Sequence, residues 1–88
     1  MRTKATRTFL KQLADLPDGV REEVEKFAFD ELPGTDSLHT TANIKKLKGY
    51  KNCFRVRFGN YRLGIEIVED VAVLRVVLHR RNVYRRFP

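Results

Sequence analysis

At 88 residues, 42% of them hydrophobic and 33% charged, the chain is long enough for one domain with one core and too short for two. It has no apolar run of the ~18 residues a membrane span needs, no apolar stretch of the kind a secretory signal carries, and one cysteine, Cys53, without an internal partner, so a reducing cytoplasm is the expected setting. The net charge of +7 is concentrated: residues 1–44 hold six Lys/Arg against eight Asp/Glu (−2), residues 45–88 twelve against three (+9), which points to a polyanionic partner, nucleic acid rather than membrane.

Residues 1–5 have room for no more than a short strand. Thr6 or Thr8 suits the start of a helix running to about Asp15, with Phe9, Leu10, Leu13 and Leu16 at helical spacing. Pro17 breaks it, and Asp18 is the expected N-cap of a second helix, with Leu16 as the apolar staple before it. Val20, Val24, Phe27, Ala28 and Leu32 then form one helical face, which Pro33-Gly34 ends. Residues 34–43 are polar and without period, a loop in which His39 is incidental. Lys45, Lys46, Lys48 and Lys51 follow at the approach to the basic half, where they extend an electrostatic footprint for a polyanion.

From Phe54 onward, three runs of β-branched and aromatic residues alternate with basic ones, separated by Gly59-Asn60 and Glu69-Asp70. The pattern predicts a three-stranded antiparallel meander. A type II′ turn at Gly59-Asn60 sets Phe58 opposite Tyr61, Arg57 opposite Arg62 and Arg55 opposite Gly64. A turn at Glu69-Asp70 sets Glu66 opposite Val73, Gly64 opposite Arg75 and Arg62 opposite Val77. One face then collects Phe54, Val56, Phe58, Tyr61, Leu63, Ile65, Ile67, Ala72, Leu74, Val76 and Leu78, without a charge. The other collects Arg55, Arg57, Arg62, Gly64, Glu66, Val73, Arg75, Val77, His79 and Arg81. Gly64, where no side chain intervenes, suits the approach of a phosphate chain between arginines. The fold class expected is α+β: one domain over 1–88, a helical hairpin packed on the apolar face of a small antiparallel sheet, the cationic face open to solvent.

The pieces Leu-Lys-Gly-Tyr (47–50), Gly-Asn-Tyr-Arg-Leu-Gly (59–64) and His-Arg-Arg-Asn-Val-Tyr (79–84), in this order and spacing, resemble the RelE branch of the RelE/ParE toxin superfamily over residues 7–86. The resemblance implies a bacterial toxin that cuts mRNA in the ribosomal A site and is neutralised by a cognate antitoxin. It carries the family's active-site positions to Arg55, Arg57, Arg62, Arg81 and Tyr84, with Arg80 beside Arg81. Strand parity favours Arg81, since it puts Arg80 on the other face. The chain departs from the family at its start, where most of the usual first strand is missing. It is also short after Tyr84, which leaves the presence of a closing helix open.

The chemistry the resemblance implies is attack of a 2′-hydroxyl on the adjacent phosphate. Arginines would hold the phosphate oxygens through charge-assisted bonds, with Arg81 at the leaving 5′-oxygen. An arginine is no base at neutral pH, so the base is Tyr84 or His79, and Tyr84 has the alternative role of stacking on a nucleobase. Arg75 and Arg80, with Lys45, Lys46, Lys48 and Lys51, would bind RNA or ribosome, and Glu66 would tether arginines. The histidines stand apart at 39 and 79 and the basic half has three acids, so no metal site and no cofactor is expected. A small, acidic, largely helical antitoxin is the expected partner, holding the segment near Tyr84–Pro88 away from the active arrangement. Two other readings remain: a ParE-like inhibitor of DNA gyrase, and a noncatalytic RNA-binding module on the same arginines.

Overall fold

The computed structural model describes residues 1–88. Strand β1 (Arg2–Ala5) leads into helices α1 (Arg7–Ala14) and α2 (Asp18–Glu25). A loop then reaches strands β2 (Ile44–Lys46), β3 (Cys53–Phe58), β4 (Tyr61–Val68) and β5 (Val71–His79), and the chain closes on helix α3 (Arg80–Arg86). The five strands form one mixed sheet in the order β1-β5-β4-β3-β2, with β1 parallel to β5 and the other pairs antiparallel. The meander of the sequence analysis is its centre, and the two short edge strands complete it. No helix is long and apolar enough to cross a membrane.

Thr6 starts α1 as expected. Its hydroxyl oxygen accepts from the Phe9 N–H at 3.0 Å, and the hydroxyl donates to the Arg75 carbonyl at 2.9 Å, which ties the helix start to β5. Asp18 is not the cap of α2 but its first residue, where its carboxylate meets Arg21 at 3.0 Å; Pro17 holds the cap position and makes no side-chain bond there. After Glu25 the helix widens into a π-helical stretch, Lys26–Glu31, and tightens into a 3-10 turn, Leu32–Gly34. Phe9, Leu13, Leu16, Val24, Ala28 and Leu32 from this hairpin bury against Val56, Leu63, Ile65, Ala72, Leu74 and Val77 of the sheet. Each fully buried aliphatic or Phe side chain contributes about 1.5–3 kcal/mol, so this layer holds the fold. Leu10, placed on the stripe by its spacing, stays 47% exposed.

The β3–β4 register is the expected one, with Arg57 opposite Arg62 and Arg55 opposite Gly64. Gly59 has φ +59°, as the first corner of a II′ turn requires, and Glu69 and Asp70 turn the next hairpin at φ +49° and +66°. The β4–β5 register departs from strict alternation. Ile65 faces Leu74, but Gly64 faces Val76, and Arg75 is the extra residue of a β-bulge. Beyond it every assignment reverses. Val77 enters the main core, only 1% exposed, while Val76 and Leu78 turn to the opposite face. There Val76 packs with Leu47, Cys53, Val83 and Phe87, so a second small core lies under α3. The opposite face is therefore half covered, not open throughout. The Val77 N–H, past the end of β1, donates to the Gln12 side-chain oxygen at 2.9 Å, which replaces the missing strand partner.

Candidate nucleic-acid interface

Three neighbouring strands set their cations side by side. Lys45 pairs with Arg55 across β2–β3, and Arg57 pairs with Arg62 across β3–β4. With Ala42, Asn43 and Tyr84 these four line a cavity of about 170 Å³ that contains no acidic side chain. Asn43 belongs to the loop before β2, and its carbonyl accepts from the Arg57 N–H at 2.7 Å, which fixes the loop against the sheet.

The cations are held apart by local contacts. Arg62 turns its guanidinium back on its own hairpin and donates to the Gly59 carbonyl at 2.8 Å and the Tyr61 carbonyl at 3.0 Å. Burial, then the Arg57 guanidinium, with Arg80 and Arg55 adding to it and Tyr84 acting the other way, pushes the Arg62 pKa below its ordinary value. Arg55 lies under the ring of Tyr84, its guanidinium carbon 4.5 Å from the ring centroid, a cation–π stack. Tyr84 is 69% exposed.

Of the residues singled out in the sequence, Arg55, Arg57, Arg62 and Tyr84 come together, and Lys45 joins them. Arg80 and Arg81 both lie in the first turn of α3. The parity that favoured Arg81 assumes extended chain, but helix begins at Arg80. Arg80 then lies one turn from Tyr84 on the same side of α3, and its charge acts on Arg62, but neither Arg80 nor Arg81 lines the cavity itself. His79, expected on the cationic face, is on the other because of the bulge. It sits opposite Tyr61, its ring edge-on at 5.3 Å, and its Nδ1 accepts from the Arg81 N–H at 3.2 Å as the cap of α3. Arg75 lies apart, with its Nε 2.8 Å from Glu66 Oε1, in a separate hollow with Thr6, Arg7 and Phe87. Lys46 pairs with Phe54 on the helix-side face, and with Lys48 and Lys51 it borders the Gly49-Tyr50 turn rather than the cavity. The space over Gly64 is not open to phosphate, because the Phe87 ring fills it. Asn43 and Phe87 carried no signal in the sequence pattern; one is in an aperiodic loop, the other beyond the last strand.

Cys53, on the covered half of this face, is buried and its thiol pKa is raised by that burial and by Glu66, with Arg75 opposing. No group of three or more His, Cys, Asp or Glu side chains that could hold a metal ion comes together anywhere in the molecule.

Residues 4–84 match the family model described as the ParE toxin of the type II toxin–antitoxin system parDE. The chain is 40% identical over 89 residues to toxin RelE3 of Methanocaldococcus jannaschii, with the whole of each chain covered. It is similar to a chain of the RelB–RelE antitoxin–toxin complex from Methanococcus jannaschii, with a TM-score of 0.80 at 40% identity over 97% of this chain and 99% of that one. It is also similar to the isolated E. coli RelE toxin, with a TM-score of 0.69 at 26% identity over 96% and 90% of the two chains.

Proposed function

Since this chain belongs to the RelE branch of the RelE/ParE superfamily of type II toxin–antitoxin toxins, we propose that it is a ribosome-dependent mRNA endonuclease acting through the cluster around Arg55 and Tyr84. The observation that carries this reading is the acid-free cavity in which Lys45, Arg55, Arg57 and Arg62 converge beside an exposed tyrosine. Such a site matches a substrate whose negative charge grows during reaction.

In this reading the 2′-oxygen attacks the adjacent phosphorus and its proton passes to the Tyr84 oxygen as the Tyr84 hydroxyl hands its own proton to water. The bond from phosphorus to the 5′-oxygen breaks, leaving a 2′,3′-cyclic phosphate. The 5′-oxygen takes its proton from water beside the cations of the first turn of α3. Arg55, Arg57 and Arg62 hold the non-bridging oxygens, and Lys45 a neighbouring phosphate. In this reading these cations do the work a metal ion would otherwise do. We assign the base role to Tyr84 over His79, whose ring faces the helix side of the sheet. The RelB–RelE complex to which the chain is similar supports a cognate antitoxin, which the charge of residues 45–88 suits to an acidic, largely helical partner.

Primer extension on mRNA translated by purified ribosomes tests the reading. The expected result is discrete cuts that persist when free divalent cation is lowered to the least that keeps ribosomes intact. The family-model match favours one other reading, inhibition of DNA gyrase, so a supercoiling assay runs alongside. Uncut mRNA with accumulated cleaved DNA–gyrase complexes would decide for that reading.

A further inference from the structure

Tyr84 reaches Arg55 from a helix that is weakly held. From Arg80 to Pro88 only Val83 and Phe87 are buried. Val83 points into the small core with Val76 and Leu47. Phe87 lies just past the last turn, where extended backbone (φ −146°, ψ 128°) carries its side chain back onto the sheet, while its N–H still donates to the Val83 carbonyl at 2.9 Å.

Phe87 comes down on Gly64. A Cβ at residue 64 would lie 2.7 Å from Phe87 Cγ and 2.8 and 2.9 Å from its two Cδ atoms, closer than real carbon contacts permit. These atoms are the root of the ring rather than its far end, so a turn of the side chain does not clear them. Any residue but glycine at 64 therefore displaces Phe87. Gly64 is also the cross-strand partner of Arg55, the residue on which Tyr84 stacks. Seat and stack are thus adjacent on the sheet and three residues apart on the helix side.

We propose that Phe87 is a positioning residue: seated in the slot that Gly64 leaves, it sets the height and rotation of α3 that lay Tyr84 on Arg55. For its effect on cleavage the proposal rests on the endonuclease reading above; the seating itself is measured without it.

The experiment is an NMR double-mutant cycle on the full chain. The readout is the ring-current shift that Tyr84 imposes on the Arg55 side chain, defined as the difference between wild type and Tyr84→Leu. Phe87→Ala and Gly64→Ala are each expected to lose more than half of that shift, although Arg55 and Tyr84 are both present. Amide shifts of the main core around Leu63 and Leu74 should be retained, a pattern that general loss of structure does not produce. Gly64→Ala added to Phe87→Ala should change the Arg55 shift no further. An intact shift in either single variant, or losses that add in the double variant, overturns the proposal. Should Gly64→Ala not fold, Phe87→Ala decides alone, by the same shift. In the ribosome assay Phe87→Ala should cut at least ten-fold more slowly than wild type at saturating toxin; undiminished cutting overturns the link between seat and site. A wild-type chain that does not cut counts against the endonuclease reading and not against the seat, which the Arg55 shift still decides.

Discussion

Arg57 and Arg62 face each other across a strand pair, where like charges are destabilising by an amount comparable to the ~0.2–1 kcal/mol an opposite-charge pair contributes. Replacing Arg57, which is exposed, by alanine should therefore leave the unfolding midpoint unchanged or slightly raised while cleavage falls by about 10²–10³-fold, the usual effect of removing one donor from a developing anion. Urea unfolding and primer extension on one preparation check both, and a midpoint lowered in step with activity would show that Arg57 is structural. Cys53 gives a pH prediction. Its folded pKa is raised, so the stability it contributes is full below the ordinary thiol value and is lost as pH rises through the folded value. Unfolding midpoints should fall above about pH 8.5, with a component that Cys53→Ala removes. Identical pH profiles for the two proteins would contradict the burial assigned to the thiol.

At the scale of elements, the bulge at Arg75 divides the sheet into a part legible in the sequence and a part that is not. Up to Ile65 the pairing follows from Gly59-Asn60, Glu69-Asp70 and the period of two, and the helical stripes of α1 and α2 follow from their spacing. One extra residue leaves no mark on alternation, because Val76, Val77 and Leu78 are all apolar and fit either face. Helix α3 was hidden as well, since its seven residues include only one buried side chain. Edge strand β1 is fixed by a distant partner, β5, so its four residues gave no local signal. The bulge is testable by a charge. Val77→Asp should unfold the domain, since it puts an unpaired carboxylate in the main core, while Val76→Asp should loosen α3 and spare the core. Circular dichroism and core amide protection separate the two, and the reverse outcome would restore strict alternation. The second hairpin is testable too: Asp70→Gly at φ +66° should stabilise by about 1 kcal/mol in denaturant unfolding, the usual relief of a left-handed residue.

Across the whole molecule, residues 1–44 carry −2 and residues 45–88 carry +9, and the arginines of the cavity project from the face of the sheet that the helical hairpin leaves uncovered. A field of this kind acts mainly on encounter. With an acidic antitoxin, raising salt from 50 to 500 mM should slow association by ten-fold or more and change dissociation by less than three-fold, because exposed charges are screened over ~4–14 Å while buried apolar anchors are not. Stopped-flow association and competition-chase dissociation measure the two rates, and equal effects on both would place the binding energy in the charges themselves.

The second small core, under α3, has a consequence for heredity. Because Val83 and Phe87 are buried apart from the layer between the helical hairpin and the sheet, a lesion at the tail or at an exposed arginine need not reach the structure that keeps the chain folded. Cells that outlive such a gene therefore have two routes. On the proposed reading, changes such as Val56→Asp would unfold the protein and free its antidote, while changes at Arg55 or Arg57 would remove cleavage and leave a folded copy still able to sequester the antidote. Lineages carrying the second kind would keep the antidote occupied, so losing the cleavage and losing the protein would have different consequences for the cell.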